Sequence, residues 1–428
     1  MATSFPPLRF VDAPPRSADL VVIGGGIIGA ATAYVATRAG LAVVLLEKRP
    51  ALCTLTTPVS TGAFRLQFDN PEEIALVREG VDLFTRFGEV TGLDGYDIGL
   101  RQQGYLFCAT DEAGMRRQHD WVAAQRGWGL DDVELLPGDE VRYRFPYVGP
   151  AVLQARYRAD DGWLKPKALT LGYARASGAT ICLDTPATGF ELAGGRVAGV
   201  RTPRGTIACR DAVIATGPFS GVVARLAGLD LDLRPRRRMK LVIPDLPDVP
   251  PDAPMTIDEG SVAHWRPALG GAYALFTDPT TPIVEPLDDV PPSASFAFEL
   301  LDPASPRALA RISPFWSTVW ERGGADWVVQ AGQYEYTPDH RPYLGPSGID
   351  GLHLNCGYSG HGIMASAGGS RIVIDLLTGR MQQADNPFRF GRPIVERPLD
   401  NDLDRRDQAG GEIGGEDGVG PLGLQLVG

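Results

Sequence analysis

Two rhythms of hydrophobic and polar positions alternate along this chain. Short unbroken apolar runs, of the length a buried strand needs, are followed by stretches with helical spacing. Residues 20–23 form the first such run, 30–38 a set of good helix formers stopped by Gly40, and 41–46 a second run. A helix is predicted from Asn70 to about Phe87, with Glu72 and Glu73 placed to complement the helix dipole. Residues 101–109 predict a strand, 115–125 a helix, and 135–141 a loop entering a short helix. A helix over 168–177, closed by Gly178, leads to a strand over 179–183. Between 188 and 216 glycine-spaced runs predict short antiparallel strands, ending in a buried strand, 211–217, that runs into glycine. Residues 261–267, 272–277 and 326–330 alternate like strands of a separate sheet, set among the proline-dense loops 244–254 and 279–292. A last helix is expected over 365–378, and from Asn386 onward the chain turns acidic and glycine-rich, predicting a poorly ordered tail.

Composition narrows the class. At 428 residues the chain is long for a single core, so two closely connected domains are expected. Its 44% apolar and 22% charged residues are those of a soluble globular protein, and a formal charge of −11 argues against nucleic acid or an anionic membrane as partner. The basic run 234–240 predicts a solvated linker or a strand entry in this acidic context. No apolar run approaches the roughly 18 residues of a transmembrane helix. The proline-rich stretch 1–17 lacks the layout of a secretory signal. The 5 cysteines are scattered without a C-x-x-C pair, which predicts reduced, mostly buried thiols in a cytoplasmic protein and no metal site.

The chemistry concentrates at the first strand–helix–strand unit. Gly24, Gly26 and Gly29 form G-x-G-x-x-G between a strand and a helix, and the next strand ends on Glu47, about 30 residues from the start of the unit. Gly24 makes the tight turn, Gly26 leaves the backbone open to a pyrophosphate, and Gly29 lets helix and strand touch. The helix N-terminus offers free N–H groups and a positive dipole end. Glu47 suits the two hydroxyls of an adenosine ribose. The hydroxyl-rich loop 54–62 follows closely enough to reach over a bound dinucleotide. The strand ending at Thr216-Gly217 either delivers its end to that ligand or is a plain core strand.

These anchors, with RQQGYLF, DGWLKPKAL, VIATG, YTPDHRPYLG and GYSGHG before a helix, resemble the D-amino-acid-oxidase-like superfamily of FAD-dependent oxidoreductases over residues 18–380. The similarity is nearest to the branch around sarcosine oxidase β subunits and dimethylglycine dehydrogenases. It implies an α/β fold, a Rossmann-like FAD-binding domain with an interleaved antiparallel-sheet substrate domain. The implied segments are a leader (1–17), FAD-binding parts (18–100, 161–233, 335–385), substrate-domain parts (101–160, 234–334) and a tail (386–428). Carried over by position, Gly24, Gly26, Ile27, Ile28, Gly29 and Glu47 hold the ADP half, with Lys48 beside the adenosine and Ala187 at the adenine. Thr216 and Gly217 close on the cofactor, and Ser60, Thr61 and Gly62 lie near pyrophosphate and flavin. Gly357, Tyr358, Ser359, Gly360, His361, Gly362, Ile363 and Met364 form the loop and helix start facing the pyrimidine end of the flavin. There the dipole suits the negative charge gained on reduction.

The resemblance implies oxidation of the C–N bond of a secondary or N-methylated amine, or an amino acid, by hydride transfer to flavin N5. Relatives clamp a substrate carboxylate with cations at positions that are Phe68, Tyr334 and Met364 here, so either the substrate carries no carboxylate or its partner comes from elsewhere, with Arg65 and Arg266 as the candidates. Each has an alternative as a surface or structural arginine. Tyr358 and His264 are candidates for the substrate face, His361 for a hydrogen bond within the flavin loop, and Asp339 for bracing its turn. The positions of covalent flavin attachment in relatives are Gly332, Arg65 and Pro166 here, so FAD is expected to be non-covalent and FMN absent. The oxygen-activating lysine of relatives maps to Ala274, which leans toward a dehydrogenase or toward oxygen activation by another cation such as Arg65. Other roles the resemblance leaves open are an electron-transferring subunit of a hetero-oligomer and a non-catalytic flavoprotein that assists assembly. A homo- or hetero-oligomer is compatible with either.

Overall fold

Two sheets divide the chain, and segments of each alternate along the sequence. The computed structural model describes residues 5–278, 280–323 and 325–395. In the first sheet, Ser17–Ile23 is central and pairs in parallel with Val43–Leu46 on one side and Gly205–Ile214 on the other. Thr180–Cys182 adds in parallel beyond Val43–Leu46, and Leu352–Cys356 beyond Gly205–Ile214. Leu20, Val21, Val22 and Leu45 are fully buried, as strands covered on both faces must be. Gly189–Ala193 and Arg196–Thr202 extend Gly205–Ile214 as an antiparallel meander. The leader contributes a short strand, Arg9–Phe10, parallel to Thr180–Cys182. The helices Ile27–Arg38, Pro71–Thr85, Pro166–Ser177 and Gly362–Leu377 pack together against this sheet. Asn70 caps the second of them, its Oδ1 accepting from Glu73 N at 2.8 Å, but the helix stops at Thr85 and a short one, Phe87–Thr91, follows.

The second sheet has 8 strands in the order Val328–Tyr336, Arg234–Ile243, Gly271–Leu275, His264–Ala268, Met255–Asp258, Tyr105–Ala109, Gln154–Arg158 and Glu134–Pro137. Its pairs are antiparallel except Met255–Asp258 with Tyr105–Ala109. Alternation fixes two faces. Leu241, Trp265 and Ala274 point into a core shared with Phe296 and Trp316, on the helices Ser295–Leu301 and Phe315–Glu321. Lys240, Arg266 and Tyr273 point the other way, toward the first sheet's loops.

The α/β architecture with an interleaved second sheet is therefore the one found. Of the two readings of the basic run, the strand entry is the one observed: it opens a 10-residue strand paired along Val328–Tyr336, with Arg238 and Lys240 buried rather than solvated. Two further expectations are corrected. The predicted strand at 101 begins only at Tyr105, Arg101 making a single bridge to Trp163. The chain from Asn386 does not lose order at once. Asn386 and Phe388 are buried, and Leu344 exchanges hydrogen bonds with both: its N donates to Phe388 O at 2.9 Å, its O accepts from Asn386 Nδ2 at 2.7 Å. The remainder of the predicted tail, 396–428, lies outside the described residues, as do residues 1–4 of the leader and 279 of the proline-dense loop. All five cysteines are free and buried, and among the described residues no helix is long and apolar enough to cross a membrane.

Candidate active site

The cleft between the sheets begins at the glycine turn. Gly24 has φ +114°, and a Cβ there would lie 2.4 Å from Ala215 O. A Cβ on Gly29 would lie 1.7 Å from Gly24 O, so the helix meets the turn only because residue 29 has no side chain. Gly26 is different. The nearest atom to a Cβ there is Thr57 Oγ1 at 3.4 Å, so the protein itself barely demands glycine. The space kept open belongs to whatever binds. Gly26 has no side chain to cap this helix start, and Ile27 N donates to Thr57 Oγ1 at 3.3 Å. An open glycine at a helix N-terminus fits a pyrophosphate.

Glu47 is fixed beside the turn. Its Oε2 accepts from Gly25 N at 2.8 Å and its Oε1 from Arg49 N at 2.9 Å, while burial raises its pKa. Thr185, Pro186 and Ala187 line the cleft with it. Of the other predicted cofactor contacts, Ile27, Ile28, Lys48, Ser60, Thr216, Gly217, Tyr358, Ser359, Gly360, Gly362 and Ile363 also line it. Gly29, Thr61, Gly62, Gly357, His361 and Met364 are not brought to the lining. Gly62 allows the loop to press on Leu164, and Met364 faces the helix Pro71–Thr85. His361 lies edge-on to Phe68 and holds Nδ1 3.4 Å from Glu73 Oε1, a placement suited to bracing the loop. Lys48 is turned outward, paired with Asp288 and 3.3 Å above the Phe219 ring.

From the second sheet the cleft lining takes Tyr334 and Glu335; Lys240 and Arg266 stand behind its loop 58–61, and neither they nor the candidates Arg65 and His264 are brought to the lining. Arg266 Nε donates to Thr61 O at 3.0 Å, Nη2 donates to the same oxygen, and Nη1 donates to Pro267 O at 2.7 Å. The guanidinium lies 5.0 Å from the Trp163 ring and 4.7 Å from that of Tyr273. Lys240 Nζ donates to Pro58 O and Ser60 O at 3.1 and 3.2 Å. Burial lowers the Arg266 pKa to about 10; burial, reinforced by the Arg266 charge, lowers that of Lys240 to about 7. Neither cation pairs with an acid among the described residues. Together they pin the loop 58–61, which carries Ser60 into the cleft.

Arg65 is half-buried, donating from Nη1 to Gln67 O with its guanidinium 4.3 Å from the Phe68 ring. Its segment is anchored by Asp161, which is fully buried and accepts from Leu66 N, Gln67 Nε2 and Arg158 Nη1 at 3.0, 3.0 and 2.7 Å. The buried Tyr105 phenol, its pKa raised by burial, feels both Arg65 and Arg266. His264 is half-buried and held neutral, burial lowering its pKa to about 4. Its Nδ1 lies 2.8 Å from Val262 O, which requires the proton on Nδ1 and leaves Nε2 as an acceptor.

Tyr358 does not present its hydroxyl to this face. The phenol is buried and donates to Asn355 Oδ1 at 2.5 Å, over Gly369, where a Cβ would lie 2.0 Å from the hydroxyl. Ala274 likewise points into the helix-covered core. Gly332 rests against Val59 and Thr56 and brings no nucleophile. Two lining residues were not singled out as contacts from the sequence. The Tyr334 ring packs 3.1 Å from where a Cβ on Gly360 would be, and its phenol hydrogen-bonds Ser60. Glu335 follows it on the same strand, facing the cofactor side.

Comparison with known proteins agrees with this geometry. The family described as FAD dependent oxidoreductase (DAO) matches residues 19–376. A Xenopus laevis protein, FAD-dependent oxidoreductase domain-containing protein 1, is 27% identical over 91% of this chain and 85% of its own length. Human mitochondrial sarcosine dehydrogenase is 25% identical over 90% of this chain, which spans 42% of that enzyme. The crystal structure of glycine oxidase from Geobacillus kaustophilus superposes with a TM-score of 0.75 at 24% identity, covering 89% of this chain and all of that one, and shows a shared fold. The chain belongs to the FAD-dependent oxidoreductase family, and FAD is the group its cradle takes.

Proposed function

We propose that this member of the FAD-dependent oxidoreductase family oxidises the C–N bond of a carboxylate-bearing amine, either an amino acid or its N-methylated form. One observation carries the reading. Across from the cofactor cradle stand three cations, Arg65, Arg266 and Lys240, and none of them has an acidic partner among the described residues. Buried or half-buried cations left without carboxylates are costly unless a ligand supplies the charge. Of the three, Arg65 is the most open, and it is the one assigned to the substrate carboxylate.

FAD, when bound, accepts a hydride equivalent from the carbon beside the nitrogen. The chain's own residues bind, orient and dry the site around that transfer. Arg65 anchors the carboxylate, and Asp161 keeps the Arg65 segment in place. Phe107, Trp163 and Met255 form a buried apolar cluster with Tyr105 that excludes water from this side. An amine reacts only when neutral, and His264, itself uncharged, offers its Nε2 lone pair as an acceptor for an N–H of that neutral amine. Relatives named sarcosine dehydrogenase, dimethylglycine dehydrogenase and glycine oxidase support an amine or amino acid as donor.

The test is anaerobic titration of the purified flavoprotein with a panel of amines and amino acids, following loss of flavin absorbance. Bleaching by carboxylate-bearing amines is expected, and admission of air then distinguishes an oxidase, which forms peroxide, from a dehydrogenase, which does not. Absence of bleaching across the panel overturns the proposal.

A further inference from the structure

Glu335 sits on the cofactor wall in a setting unusual for an acid. It is 7% exposed, and among the described residues no ion pair joins it. Its Oε1 accepts from Gly357 N at 3.2 Å. Its Oε2 lies 3.7 Å from where a Cβ on Gly217 would stand. Gly217 and Gly357 follow the ends of two adjacent parallel strands, Gly205–Ile214 and Leu352–Cys356, and both have positive φ, +53° and +76°. The carboxyl group thus enters the cleft through the gap those two glycines leave.

The titratable groups around it give it no counter-charge. Cys356 and Tyr358, from the strand and loop packed against it, are held neutral by burial. Tyr334 and Tyr336 flank it on its own strand, and its cross-strand partner is Pro235. Lys48, which shares the cleft lining, is occupied by Asp288, and Glu47 on the same lining is itself an acid. Burial raises the Glu335 pKa to about 7, and nearby backbone N–H groups offset this only in part. An ionised carboxylate here would face a dinucleotide that already carries a negatively charged pyrophosphate. A carboxylic acid would instead supply a donor.

We propose that Glu335 binds FAD as a neutral acid, donating its Oε2–H to an oxygen of the cofactor, so that ionisation of this one side chain loosens the flavin. The proposal rests on the assignment of FAD to the cleft, and it concerns the protein's hold on the cofactor rather than the amine chemistry.

The test uses the full chain stripped of flavin and retitrated with FAD at pH values from about 6 to 8.5, following quenching of flavin fluorescence. For the native protein Kd is expected to rise above neutrality, toward about tenfold per pH unit, as binding becomes coupled to uptake of one proton. Glu335→Gln, which keeps an N–H donor at every pH, should flatten the profile and bind more tightly than the native protein at the alkaline end. Lys240 titrates near the same pH and its loss of charge would also weaken an anion, so Lys240→Met is the control, and it should keep the slope. Calorimetry of the native protein in two buffers of different ionisation enthalpy gives a reading that needs no variant: about one proton taken up per FAD at pH 8. A flat native profile, no proton uptake, or a slope retained in Glu335→Gln and lost in Lys240→Met would overturn the proposal. Failure to bind FAD at any pH would overturn the cofactor assignment with it, whereas pH-independent binding would remove the Glu335 proposal alone.

Discussion

On the dinucleotide wall of the cleft, the buried carboxylates of Glu47 and Glu335 take their hydrogen bonds from backbone N–H groups. On the facing wall, behind the loop 58–61, Lys240 and Arg266 are buried with only backbone carbonyls and aromatic rings. The first wall is built from turns and strand ends, and it meets an anionic cofactor with amide N–H groups and a helix terminus rather than with lysines. The second is built from side chains on a sheet, and it holds positive charge in reserve. Such a division suits a reaction between a large cofactor that stays through the cycle and a small ligand that comes and goes. Backbone donors are rigid and keep the cofactor seated, while unpaired cations favour any ligand that brings a carboxylate and release it once the product leaves.

The largest expected effect separates two glycines of the first wall. Gly29→Ala places a methyl group 1.7 Å from Gly24 O, so the turn cannot keep its shape, and both thermal stability and FAD uptake should be lost. Gly26→Ala meets nothing closer than 3.4 Å within the protein, so the chain should keep its melting temperature while its FAD affinity collapses. Thermal melts with and without FAD check both. Equal stability losses in the two variants would show that residue 26 serves the fold and not the ligand.

On the second wall, Arg65→Met should lower kcat/KM for a carboxylate-bearing amine by about 10- to 100-fold, the worth of a charged hydrogen bond. The loss should appear in steady-state kinetics mainly as a higher KM, with FAD affinity unchanged. Lys240→Met should be smaller in effect and opposite in sign for stability, gaining about 1 kcal/mol or more in urea at neutral pH, because a buried charge without a partner is removed. The sign with pH follows from its lowered pKa. Between about 7 and 10.5 the folded chain binds fewer protons at this site than the unfolded one, so native stability rises with pH across that window and the advantage of the methionine variant shrinks. Asp288→Asn should matter least. The Lys48–Asp288 pair is open to solvent on the aspartate side, so a change in FAD dissociation rate within a few-fold is expected, and smaller still at high salt.

The same contrast explains what could be read from the chain alone. The glycine turn and Glu47 are contiguous in sequence, and their geometry follows from backbone rules, so the cradle was legible residue by residue. Lys240 was not. It lies in a run of arginines that hides strand alternation, and its pairing partner Gln330 is 90 positions away, so burial depends on a contact no local rhythm reports. Tyr358 shows a subtler limit. Its place in the flavin loop followed from the motif, but the direction of its ring depends on the room left by Gly369 and on an acceptor, Asn355, buried beneath the loop. Glu335 was within a recognised motif, yet its importance comes from the absence of cations around it, which only the packed strands reveal.

The most direct test of the two-wall account is the rate of anaerobic flavin reduction, in a stopped-flow mixer, by an N-methyl amino acid and by the matching amine that lacks the carboxylate. The account predicts rapid bleaching by the first and a rate at least about 10-fold lower with the second, the difference shrinking toward unity in Arg65→Met. Equal rates with both amines in the native protein would contradict it.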